Sequence, residues 1–186
     1  MSTDLRWALR RRKPERRLGQ LQTRPRERLV AAADVPASGR PALLLDTDVY
    51  IQQAAGRLPP EAEALIARGL LFHCSVCLSE LAIGVANTDP SRAGWPRMRD
   101  HYAALFDALP ASRILTPDEA VWTDAGVLTG ALSRSQGFGR EQRKEMLNDA
   151  LIYMTAARAG VPVLTVDVKH FDLLQQLAPD GAFIWF

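Results

Sequence analysis

Residues 148–171 read NDALIYMTAARAGVPVLTVDVKHF, and the order of signals in that stretch decides the fold. Leu147, Leu151 and Met154 recur at the spacing of one helical face and Gly160 is a stop, so the stretch opens inside a helix running from about Glu141 to Arg158. PVLTVD then gives a nearly continuous apolar run closed by an aspartate, and VKHFDLLQQLA returns to helical spacing. An apolar strand held between two helices is expected to be buried on both faces of a parallel sheet. Polar residues just past it then stand at the strand's carboxyl end, where open α/β sheets place their sites.

The same alternation runs back to Pro41. PALLLD reads as a first strand, DVYIQQAAG as a short helix, and PPEAEALIARG as a second helix with proline near its start and Gly69 at its stop. LLFHCS is a strand, VCLSELAIGV a helix, NTDPSRAGWPR a loop and MRDHYAALFDAL a helix. SRILT is a further strand, followed by a helix from Asp118 to about Leu132, and SQGFGR is a turn. AFIWF closes the chain as a strand. With no internal repeat, this order predicts a three-layer α/β sandwich over residues 41–186, its mostly parallel central sheet flanked by helices.

At 186 residues, 47% hydrophobic and 24% charged, the chain is long enough to bury a sizeable core. No apolar run approaches the roughly 20 residues a bilayer requires, and the arginine-rich N-terminus lacks the apolar stretch of a signal peptide. Asp4, Glu15 and Glu27 argue against an organelle transit peptide, so the expected location is the cytoplasm. The net charge of +2 conceals an asymmetry: residues 1–40 hold 11 Lys and Arg against 4 Asp and Glu, and the remainder holds 12 against 17. The first 40 residues, broken by Pro14, Pro25 and Pro36, read as a basic, flexible arm. Such an arm either contacts nucleic-acid phosphates or is a solvated extension.

HCSVC, His73 to Cys77, contains C-x-x-C but no second half of a zinc site, because there is no other cysteine and His101 and His170 lack ligand spacing to it. Its apolar flanks place Cys74 and Cys77 in the core.

Acidic residues carry the chemistry. Asp46 ends the first strand in LLLDTDVYI and Asp167 ends PVLTVD, so neighbouring strands would deliver both to one sheet edge. Glu80 lies in the first turns of the helix after LLFHCS, and Asp149 on the helix that leads into PVLTVD. Taken singly, each acid is an ordinary capping or surface residue, and Asp46 and Asp48 suit a helix N-cap. Together, four carboxylates would repel one another unless a cation offsets them. Oxygen-only donors suit Mg²⁺ or Mn²⁺, and such ions support in-line displacement at phosphorus. Arg140, Arg143 and Lys144, just upstream of Asp149, are candidate phosphate contacts. SRAGWPRMR mixes arginines with Trp95, a composition suited to gripping phosphates and stacking a base, but that tryptophan is expected instead to dock on the protein's own surface or at a dimer contact.

LLLDTDVYI, SVCLSELAIG and NDALIYMTAARAGVPVLTVDVKHF resemble, in order and spacing, the acidic motifs of the PIN-domain ribonucleases, especially the VapC-type toxins of toxin–antitoxin pairs. The resemblance implies that Asp46, Glu80, Asp149 and Asp167 are the catalytic metal-site acids, with Asp48, Asn148 and Thr165 supporting them. It also implies Mg²⁺- or Mn²⁺-dependent cleavage of RNA, a homodimer, and an antitoxin partner that blocks the site. Asp48 departs from the asparagine these toxins often carry, and the arm is not a usual feature of a minimal toxin. It extends RNA contacts, serves another partner, or reflects a start codon assigned too far upstream.

Two other readings use the same residues. DTDV also fits the nucleophile motif of haloacid-dehalogenase-like phosphatases, with Asp46 attacking phosphorus, Asp48 as acid/base, and Asp167 with Asp172 as the later aspartate pair. That reading leaves Glu80 and Asp149 idle. A PIN-like module that binds RNA or protein without cutting would be marked by loss of a site acid, and all four are present.

Overall fold

The computed structural model describes residues 5–16 and 19–186. Five strands, β1 (Ala42–Leu45), β2 (Leu70–Cys74), β3 (Ile114–Leu115), β4 (Val163–Thr165) and β5 (Phe183–Trp185), form one sheet in the order β3-β2-β1-β4-β5. Every pairing is parallel. Leu43, Leu44 and Leu45 point alternately to opposite faces, yet all three are buried, so both faces are covered and the architecture has three layers. Eight helices among the described residues do the covering: α1 (Leu5–Arg12), α2 (Thr47–Ala54), α3 (Pro60–Arg68), α4 (Ser75–Asn87), α5 (Trp95–Ala108), α6 (Glu119–Gln136), α7 (Arg140–Ala159) and α8 (Val168–Leu177).

The strand order positions the site. From β1 the chain steps outward to β2 and β3, then returns to the other side of β1 for β4 and β5. The direction of winding reverses between β1 and β4, where Leu44 pairs with Val163 and Leu45 with Leu164. At such a reversal the following loops diverge and leave a crevice beyond the carboxyl ends of the strands.

Two helix boundaries differ from the sequence reading. Helix α5 starts at Trp95, so the end of the segment read as a loop is its first turn, with Pro96 where a missing N–H costs nothing. Helix α6 runs on to Gln136 and ends at Gly137, whose φ of 71° is the left-handed conformation glycine tolerates. SQGFGR therefore supplies only its glycines and Phe138 to the turn. Cys74 and Cys77 are free thiols in the core, and the buried His73 shares a 2.7 Å hydrogen bond with the Tyr50 hydroxyl.

The segment expected to be a flexible arm lies against the domain over its described residues; residues 1–4 and 17–18 of it fall outside them. Helix α1 packs on α6 through Ala8 and Arg12, both buried. Arg12 donates to Asp124 through Nη2 at 2.8 Å and to Asp180 through Nη1 at 2.6 Å. Arg24 donates to the fully buried Asp172 from its backbone at 2.8 Å and from Nε at 2.5 Å. Beyond it, Trp185 N–H donates to Val30 O at 3.1 Å and Ala31 forms a parallel bridge with Trp185, so the arm covers the open edge of β5. Carboxylates of the domain engage three arginines of the segment, Arg11, Arg12 and Arg24. No helix is long and apolar enough to cross a membrane among the described residues.

Candidate functional site

The crevice beyond β1 and β4, a cleft of about 420 Å³, is lined by six carboxylates, Asp46, Asp48, Glu80, Glu145, Asp149 and Asp167, and one imidazole, His170. All four acids expected to meet therefore do so. Asp46 follows β1 directly and is the N-cap of α2, its Oδ1 accepting from Thr47 N–H at 2.7 Å. Its other oxygen accepts from the Thr165 hydroxyl at 2.6 Å, and the same Thr165 oxygen accepts from Asp167 N–H at 2.9 Å. Thr165 thus ties the end of β4 to the end of β1. Asp167 is the N-cap of α8, accepting from His170 N–H at 2.9 Å. The capping role and the place in the cleft belong to the same residues, because helix N-termini open onto the carboxyl edge of a parallel sheet.

Glu80 is held from both sides, by the Thr47 hydroxyl at one oxygen and by Asn148 Nδ2 at 2.7 Å at the other. Asn148 immediately precedes Asp149 on α7. Asp48, on the first turn of α2, faces the same cleft. Arg140, Arg143 and Lys144 are exposed on the first turns of α7, outside the cleft lining, and Lys144 is paired with Glu141 at 2.9 Å. Trp95 docks on its own chain, with Nε1 3.4 Å from Val85 O and the Arg99 guanidinium over its ring.

Sequence reasoning missed His170 and Glu145. His170 was weighed only against the distant cysteines; its signal was the three-residue spacing from Asp167, which brings an N3 side chain back over its N-cap. Glu145 had a comparable signal, lying four residues before Asp149 on one helix face. His170 Nδ1 lies 2.7 Å from Asp149 Oδ2 and 3.0 Å from Asp167 Oδ2, a cation between two anions. Asp172, the second late aspartate of the phosphatase reading, is absent from the cleft because it is buried against Arg24.

Electrostatics shows how far this charge is compensated. Burial, then the charge of Asp149, pushes the Asp46 carboxyl well up, against the hydrogen bonds from Thr165 and Thr47. Burial pushes Asp149 up to about 6 despite its hydrogen bond with His170. Burial also raises Asp48, helped by Asp167 and Glu80. Asp167 resists: burial works to raise it, but side-chain and backbone hydrogen bonds with His170 outweigh that and hold it low. One imidazolium is too little positive charge for six carboxylates. The remaining donors are oxygen, and Asp149 and Asp167 bring carboxylate oxygens within 4.8 Å of each other, so the residues fit a small hard cation.

A pH dependence follows. Hydrogen bonds to Asp149 and then Asp167 raise His170 to about 10, from a reference value of 6.5. A proton held more tightly when folded stabilises the fold: the contribution is complete below about pH 6.5 and lost as pH rises through about 10. The unfolding free energy of the protein in EDTA, from urea melts, is expected to fall from about pH 7 to 9 by up to about 1.4 kcal/mol per pH unit. His170→Gln should remove most of that slope; equal slopes in both proteins would show that the imidazole is not held in this way.

A family model of the PIN domain matches residues 43–175, nearly all of the sheet and its helices. No curated protein matches the chain. Among solved structures, VapBC2 from Rickettsia felis bound to a DNA fragment from its promoter contains a similar chain, with 18% identity, a TM-score of 0.55, and coverage of 78% of this chain and 98% of that one. FitAcB from Neisseria gonorrhoeae contains another, with 23% identity, a TM-score of 0.54, and coverage of 76% and 96%. At these identities the likeness is one of fold.

Proposed function

Because this chain belongs to the PIN-domain family, we propose that it is a Mg²⁺- or Mn²⁺-dependent endoribonuclease that hydrolyses RNA phosphodiester bonds at the carboxylate cleft. The observation that carries this reading is the convergence of Asp46, Glu80, Asp149 and Asp167, from four separated segments, at the sheet's winding reversal. A structural role would not require one buried and three half-buried carboxylates to be assembled against their own repulsion.

Asp46, Glu80, Asp149 and Asp167 would hold the ion. When bound, it would polarise a phosphoryl oxygen and lower the pKa of an attacking water. The chain's own part is positioning. Thr165 and Thr47 orient Asp46, Thr47 and Asn148 fix Glu80, and His170 holds Asp149 and Asp167 together. Asp48 adds negative charge at the mouth.

The biological reading is that of a cytoplasmic toxin in a toxin–antitoxin pair, working as a homodimer and restrained by an antitoxin. It is supported by the family and by the toxin–antitoxin complexes that share the fold. The deciding experiment incubates single-stranded RNA with the protein and Mn²⁺, Mg²⁺ or EDTA. Internal cleavage with metal and none in EDTA is the expected result, and intact RNA with both metals would overturn the reading.

Metal binding should also appear without any substrate. At a Mn²⁺ concentration one hundred times the dissociation constant, mass action adds about 2.7 kcal/mol to stability. For a chain of this size that raises the melting temperature by roughly 5–10 °C. A melting curve unmoved by Mn²⁺ would mean that the carboxylates do not form one cation site.

A further inference from the structure

The cations of the N-terminal segment divide into two sets. Arg11 and Arg12 are engaged by Asp180 and Asp124, and Arg11 also lies over the Trp7 ring. Arg24 is engaged by Asp172 and Gln175, and Arg26 stacks on Trp185. These hold the segment on the domain. Arg10, Lys13 and Arg16 form the other set, exposed and without a side-chain partner among the described residues.

Their placement is not scattered. Ala8 and Arg12, four residues apart, make the buried seam of α1. Arg6 and Arg10, four residues apart, lie nearly opposite that seam, so docking the helix turns their face outward. Lys13 has a φ of 47°, a left-handed position that ends the helix before Pro14 and swings the chain towards Arg16. An open cleft of about 550 Å³ is lined by Arg11, Arg12, Lys13 and Arg16 together with Pro179 and Asp180. Glu15 is the one acid in residues 5–16.

Pro179 and Asp180 precede β5, whereas Asp46 and Asp167 follow β1 and β4. In an all-parallel sheet these are opposite edges, so the molecule carries an acidic edge at the cleft and a basic one at the arm. The acidic edge repels phosphate until a cation is bound, so affinity for a polyanion must come from elsewhere.

We infer that the docked arm is a second, metal-independent contact for single-stranded RNA, with Arg10, Lys13 and Arg16 neutralising backbone phosphates away from the cleft. The choice of RNA rests on the ribonuclease reading; the phosphate chemistry rests on the arm alone.

Filter binding of a single-stranded RNA of about 40 nucleotides, longer than one cleft holds, tests this in EDTA at several salt concentrations. The variant Arg10→Gln/Lys13→Gln/Arg16→Gln removes three phosphate contacts and leaves the buried anchors in place. The slope of log K against log salt should become shallower by ~2, at ~0.7 per contact on a single strand, with an unchanged melting temperature. Equal slopes for variant and wild type overturn the inference. Should the triple variant melt early, Arg10→Gln alone, on the exposed helix face, is expected to lower the slope by ~0.7, and no change there overturns it equally. Cleavage with metal is read separately, so its absence would remove the ribonuclease reading without deciding the arm's affinity.

Discussion

Asp149→Asn is expected to lower metal-dependent RNA cleavage by roughly 10²–10³-fold, the scale on which one contact to developing charge is lost. The metal-free protein should meanwhile stay folded and within about 1 kcal/mol of wild type at about pH 8, because relief of the buried charge is offset by loss of the anion that holds the His170 proton. Burial pushes the Asp149 carboxyl up to about 6, so near neutral pH its negative charge costs the fold stability. For a carboxyl whose folded pKa is raised, that cost appears as pH climbs from the unfolded value through the folded one. The amide has nearly the same shape and its oxygen still accepts from His170, so the cost disappears while the charge that would hold a cation is lost. The rise in melting temperature with Mn²⁺ should shrink in the same variant. A folded Asp149→Asn protein that cleaves at the wild-type rate would remove Asp149 from the site. A variant that loses cleavage and stability together would show that the residue supports the fold.

The acids were legible because sheet topology acts on them before packing detail does. A strand such as PVLTVD delivers its terminal aspartate to the carboxyl edge however its neighbours pack, and the same holds for Asp46 after LLL. Glu80 and Asp149 were legible as positions on helices that had to border those strands. His170 was not, because its importance arises from one rotamer that brings Nδ1 between Asp149 and Asp167. No periodicity encodes that contact. The start of α5 at Trp95 was obscured by the Gly-Trp-Pro sequence, which reads as a turn until proline is seen to occupy the first helical turn.

The N-terminal segment gave the weakest signal for a physical reason. A run of arginines reads as a solvated charge when their partners are acids 112 and 148 residues away in sequence, each looking ordinary in its own helix. Asp124 sits among the apolar residues of α6, and Asp172 among those of α8. Only the packed fold shows that both are buried and that arginines of the arm face them.

Arg12→Met is therefore expected to destabilise the protein by about 3–5 kcal/mol, the cost of leaving a buried charge without its partner. Arg12 is 5% exposed and Asp124 4%, so water cannot replace the lost guanidinium. Arg11 stands 4.0 Å from Asp124, too far for a hydrogen bond of useful strength. At 2–4 °C per kcal/mol, the melting temperature should fall by roughly 6–20 °C. Unlike truncation of one partner, replacement of both by apolar side chains is often neutral, so Arg12→Met/Asp124→Leu should recover most of the loss. Thermal and urea melts of the two single variants and the double close the cycle. A single variant within about 1 kcal/mol of wild type would show that the arm is carried by the domain without stabilising it. A chain begun at Ser38 would lose Arg12, Arg24 and the strand-edge bridge at Ala31 together. A fall in its RNA affinity would then mix loss of stability with loss of the exposed cations, and the contribution of the arm to binding has to be read from substitutions of those cations alone.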